Sequence, residues 1–98
     1  MLRIECHSDS MGSARANQRL TQMRALAVAH HLVARGLHCK RLLPVGFGEA
    51  KPIADNSSAA GRAQNRRVTF HNAALSGRPI SGLPLDGGGV VAGDPCKP

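Results

Sequence analysis

The chain has 98 residues, room for one domain, and with no Trp, no Tyr and two Phe its core must be aliphatic and thin. Its formal charge of +7 suits an acidic partner, but the basic residues run from Arg3 to Lys97 without a cluster, and no aromatics interleave with them for base stacking, so nucleic acid is not expected. No enzyme chemistry is indicated either: no Ser or Cys is visibly matched with a His and an acidic orienter, and the six acidic residues form no paired-carboxylate motif.

In chain order, Leu2 to Cys6 alternates apolar and polar residues and predicts a half-buried strand with Leu2, Ile4 and Cys6 inward. Ser8 to Ser13 is loop chemistry, rich in side chains that bond their own backbone. From about Ala16 to Arg35 there is no Gly or Pro, and Gly36 supplies a stop, which predicts one long helix. On its predicted inner stripe lie Asn17, Leu20, Thr21, Arg24, Val28 and Leu32.

Leu37 to Gly46 predicts a second strand, broken by Pro44 and the Gly46-Phe47-Gly48 turn. Glu49 to Asn56 reads as a loop, Ser57 or Ser58 as the cap of a single helical turn, and Arg67 to Phe70 as a short last strand with Val68 and Phe70 on one face. After about Asn72, Gly and Pro punctuate a stretch that reads as a disordered tail. The expected organisation is a domain over residues 1–71 and a tail over 72–98, in the α+β class: a small mixed sheet with the long helix packed on one face.

Cys6, Cys39 and Cys96 contain no C-x-x-C pair, and neither a zinc knuckle nor a disulfide framework is indicated. A Cys6–Cys39 bridge is open if the two stand on adjacent strands; two separate buried thiols is the favoured reading. The histidines lack ligand spacing, and no metal or cofactor is expected. No apolar run reaches the roughly 20 residues of a membrane span, and the opening residues do not read as a secretory signal.

Arg24 carries the chemistry. A guanidinium on the inner stripe of a helix needs an anion, and Asp9, just past the first strand, is the nearest by sequence. Two readings follow: a partly buried Asp9–Arg24 ion pair that fixes strand against helix, or two halves of a binding site.

The surrounding motifs favour a site. Ile4-Glu5-Cys6-His7-Ser8-Asp9-Ser10-Met11-Gly12 resembles the I-x-G-H-T-D-x-x-G strand end of OmpA-like peptidoglycan-binding domains. Asn17 with Leu20-Thr21, Arg24-Ala25 and Val28 is similar to that family's N-x-x-L-S-x-x-R-A-x-x-V helix. Gly46-Phe47-Gly48-Glu49, Pro52-Ile53-Ala54-Asp55-Asn56 and Gly61-Arg62-Ala63-Gln64-Asn65-Arg66-Arg67-Val68 follow in the family's order. The likeness spans Leu2 to Phe70, with Cys6 in place of the usual Gly, and family domains begin with a further strand and helix before the part matching Leu2.

The resemblance implies a partial βαβαβ sandwich that tethers an envelope protein to the cell wall without turnover. It assigns Asp9 to the ammonium, and Arg24 to the carboxylate, at the free end of diaminopimelate in the peptidoglycan stem peptide. Ser8 and Asn17 would add hydrogen bonds, and Arg67 would approach the carboxylate from the last strand. A periplasmic or outer-membrane-associated location is implied on the same ground, as is either a homodimer or completion of the domain within a longer parent protein. The alternatives are a basic nucleic-acid-binding module and a fragment without function.

Overall fold

Alternation from Leu2 onward produces strand β1, Leu2–His7, in the computed structural model, which describes residues 1–72 and 87–97 together with the backbone of 74–75 and 78–79. Ser13 caps helix α1, Ala14–Ala34, by accepting from the backbone N–H of Ala16 at 3.0 Å. Gly36, at φ 105°, ends it: the Gly36 and Leu37 N–H groups bond back to the carbonyls of Val33 and Leu32, a closure only glycine makes without strain.

Strand β2 runs over Leu42–Gly48, later than the Leu37 start expected, because His38 caps a short 3-10 turn at Cys39–Arg41 instead of extending. Ser58 caps α2, Ala59–Asn65, longer than the single turn expected, and β3 follows at Arg67–Asn72. Two short strands, β4 at Ala74–Leu75 and β5 at Arg78–Pro79, pair with each other, and β6, Val90–Val91, returns to the main sheet.

The main sheet has the order β3-β1-β2-β6, with β1 parallel to β2 and the other two pairings antiparallel. The α+β expectation holds: a small mixed sheet carries one long helix on a face. Residues 73, 76–77, 80–86 and 98 of the expected tail lie outside the described residues. Residues 87–97 are placed against the domain: Val90 and Val91 pair with Gly46 and Val45, and the Ala92 N–H donates to the Pro44 carbonyl. A Cys39–Cys96 disulfide fastens this segment, which overturns the favoured reading of two separate thiols for Cys39 and the Cys6–Cys39 alternative alike, and leaves Cys6 as the free, buried thiol.

Ile4, Ala29 and Leu42 form the buried cluster between sheet and helix, with Leu2, Val28, Leu32 and Val33 packed around it. The helix comes close to β2 because Gly46 and Gly48 have no side chains there. A Cβ on Gly46 would stand 2.5 Å from the Gln22 backbone nitrogen. The Gln18 side chain donates to the Gly46 carbonyl at 2.6 Å, and the Gly48 N–H donates to the Thr21 hydroxyl at 2.9 Å.

That close approach corrects the predicted stripe. The buried line of α1 is Asn17, Thr21, Ala25 and Ala29, small side chains four residues apart. Leu20 is 40% exposed and Arg24 is exposed, because the narrow gap turns long side chains to the flank. Val68 and Phe70 stand opposite Cys6 and Ile4 on the helix side of the sheet, yet are 42% and 52% exposed, since α1 lies over β2 and β1 rather than β3.

Candidate functional site

The parallel strands β1 and β2 end together, and the loop leaving β1 carries Ser8 and Asp9 over the start of α1. The Ser8 N–H donates to the Gly48 carbonyl at 2.8 Å, just past a register shift between Cys6 and His7. The loop is held from within. Ser8 Oγ donates to the Asp9 carbonyl at 2.9 Å, and Asn17 Nδ2 donates to the carbonyls of Asp9 and Met11 at 3.2 and 2.9 Å. The helix cap is Ser13, so the Asn17 amide is free to fasten the loop to the first turn of α1.

The Asp9 carboxylate is nearly buried, and both of its oxygens are engaged. Oδ1 accepts from the Met11 N–H at 3.0 Å, and Oδ2 pairs with Arg66 Nη1 at 2.7 Å. Arg66 and then the Met11 amide hold its carboxyl below the usual aspartate range. Arg24, the anion's partner by sequence reasoning, makes no hydrogen bond or ion pair among the described residues. Its positive charge opposes the upward push that burial gives the Cys6 thiol.

Of the five residues expected to bind, Asp9, Ser8 and Asn17 are directly linked. Arg24 stands on the neighbouring flank of α1. Arg67 lies elsewhere: it pairs in register with His7, and its guanidinium donates to the carbonyls of Asn65 and Lys51 at 3.2 and 2.9 Å.

The residue that sequence reasoning missed is Arg66. Side chains alternate along a strand, so adjacent arginines at its entrance point apart, and only the register decides which one meets Asp9. Asn65 was missed as well. Fully buried, it accepts from the N–H groups of Ile53 and Ala54 and donates to the Ala54 carbonyl and Asn56 Oδ1, tying α2 to the 53–56 loop. An Asn at a helix end facing a Pro- and Asn-containing loop was the available signal.

Beside the site, His7 stacks on Phe47 with ring centroids 5.0 Å apart, and Lys51 Nζ sits 4.4 Å over the same Phe47 ring. Nothing in this arrangement sets up a nucleophile: the buried thiol of Cys6 is held protonated, and His7 bonds Glu5 rather than a hydroxyl. The constellation is one of opposite charges around a hydrogen-bonded loop, suited to recognition of a charged ligand.

The family model described as the OmpA family matches residues 1–66. Outer membrane porin F of Pseudomonas aeruginosa is 48% identical over 66 residues, 66% of this chain and 19% of that protein. Outer-membrane lipoprotein YfiB of the same organism is 40% identical over 69 residues, 70% of this chain and 41% of its own length. Peptidoglycan-binding protein ArfA of Mycobacterium bovis is 45% identical over 65 residues, 66% of this chain and 20% of that protein. This chain thus spans between about a fifth and two-fifths of these relatives, and its matched part holds β1, α1, β2 and α2 with the loop around Asp9. On that match the chain belongs to the OmpA family.

Proposed function

We propose that this domain binds the peptide of peptidoglycan without chemical turnover and ties an envelope protein to the cell wall. The observation that carries the reading is a pair of opposite charges, one on the loop after β1 and one on the flank of α1, that do not neutralise each other. A nearly buried carboxylate at Asp9 and an exposed guanidinium at Arg24 stand on adjoining elements without pairing to each other. The free end of diaminopimelate bears an ammonium and a carboxylate on one carbon, the complement of that arrangement. Asp9 takes the ammonium, and Arg24 takes the carboxylate with two parallel N–H donors, a fork Lys lacks.

Ser8 and Asn17 contribute by holding the loop that carries Asp9. Arg67, tied to the carbonyls of Asn65 and Lys51, is not free to reach the carboxylate and drops out of the binding set. ArfA is by name a peptidoglycan-binding protein, which supports the polymer as ligand, and the outer-membrane and lipoprotein names of the other relatives support an envelope location.

The test is co-sedimentation with purified sacculi. Asp9→Ala and Arg24→Ala should each lower retention by at least tenfold while circular dichroism stays unchanged. Retention at the wild-type level by both variants would overturn the assignment.

A further inference from the structure

The Asp9 carboxylate already has a cation on it. Arg66 Nη1 lies 2.7 Å from Asp9 Oδ2, while Asp9 Oδ1 is committed to the Met11 backbone and the Asp9 carbonyl to Ser8 and Asn17. The loop thus holds Oδ1 and the backbone carbonyl, whereas the contact to Oδ2 comes from a side chain.

We infer that Arg66 is an internal surrogate for the ligand's ammonium, so that binding exchanges one cation for another on Asp9. This rests on the reading of Asp9 as the ammonium receptor. Three features carry it. The Asp9 side chain is 12% exposed but that of Arg66 is 49% exposed, so the guanidinium already has one side in water and loses little by swinging out. The Arg66 backbone cannot follow: its N–H bonds the Arg62 carbonyl, and the preceding Asn65 is anchored to the 53–56 loop, so only the side chain moves. Arg67, by contrast, has its guanidinium on two carbonyls. The adjacent arginines thus divide the work, one fixed and one exchangeable.

Exchange makes Arg66 a competitor and a filter. A ligand without a cation cannot replace it and leaves the Asp9 contact as it was. A ligand with one must match a guanidinium already in place, which sets affinity and selects for a well-positioned ammonium.

The experiment is calorimetric titration of the full chain with free meso-diaminopimelate, for wild type, Arg66→Ala, Arg66→Lys and Asp9→Ala. Arg66→Ala should bind about twofold to fivefold tighter, the worth of a half-exposed ion pair. Arg66→Lys, which keeps a competing cation, should stay within about twofold of wild type. The Asp9 carboxyl, followed by NMR in the ligand-free proteins, should titrate higher in Arg66→Ala than in wild type, a readout that a purely structural role for Arg66 elsewhere would not move.

Equal or weaker binding by Arg66→Ala, with Asp9→Ala inactive, overturns the exchange and leaves the site assignment standing. Wild-type affinity in Asp9→Ala overturns the site assignment itself, and the exchange with it.

Discussion

At the end of β1, Cys6 and His7 turn to opposite faces of the sheet, and burial acts on both. It raises the Cys6 thiol and lowers His7, whose neutral form is further favoured by Arg67 and by Lys51, against the opposing hydrogen bond and charge of Glu5. His71 Nε2 lies 3.9 Å from Glu5, and Arg3 pairs with Glu5 on that face. A histidine kept neutral in the fold but free to protonate when unfolded means that the unfolded chain binds more protons below about pH 6.5. Its contribution is thus fully present above that pH and is lost as pH falls toward the lowered folded value. Unfolding free energies from urea titrations between pH 7.5 and 5.5 should fall as pH falls, with a slope of at most about 1.4 kcal/mol per pH unit from this one group. His7→Phe, which keeps the stack on Phe47, should flatten that slope; an unchanged slope would locate the dependence elsewhere. Single residues were also where the sequence was hardest to read. Asp9, Ser8 and Asn17 stand in one short stretch whose loop chemistry is local, whereas the partner of Asp9 lies 57 positions away and depends on strand register. The burial of Arg24 was misjudged because a helix wheel does not reveal how near the neighbouring strand comes. The glycines at 46 and 48 bring α1 in so closely that only small side chains fit beneath it.

Among the elements, β1, α1, α2 and β3 were legible because each announces itself within its own residues, by alternation, a cap or a stop. Strand β6 was not. It is two residues long in a Gly- and Pro-rich setting, and its place depends on contacts distant in sequence: the Pro44 carbonyl, the ladder with β2, His30 Nε2 on the Lys97 carbonyl, and the Cys39–Cys96 bridge. Three cysteines allow three single pairings, and composition cannot choose among them. The bridge joins residues 57 apart and restricts the unfolded chain accordingly. Cys96→Ser should cost about 2–4 kcal/mol of stability by urea unfolding. A more selective check is limited proteolysis with and without dithiothreitol: reduction should expose residues 87–97 to cleavage while residues 1–72 stay protected. Equal protection of the C-terminal segment in both conditions would mean that the two-residue ladder holds it unaided.

Over the whole molecule, the formal charge of +7 poses a question that no single site answers, because a scattered positive surface attracts any polyanion to some degree. Ionic strength separates the two kinds of attachment. Binding to duplex DNA through phosphate contacts releases counterions in proportion to the contacts made, and six to ten of them would cost roughly 10³–10⁵ in affinity between 50 and 200 mM salt. A zwitterion gripped at Asp9 and Arg24 carries no net charge to screen, and exchange with Arg66 leaves the number of ion pairs on Asp9 unchanged, so the balance of released ions is close to zero. Retention on sacculi should accordingly change by less than about threefold over that salt range, and free meso-diaminopimelate should compete for it, while any retention on DNA falls steeply. If sacculus binding instead declined in step with DNA binding and ignored the competitor, the attachment would be the work of diffuse charge, and the geometry at the end of β1 would be incidental to it.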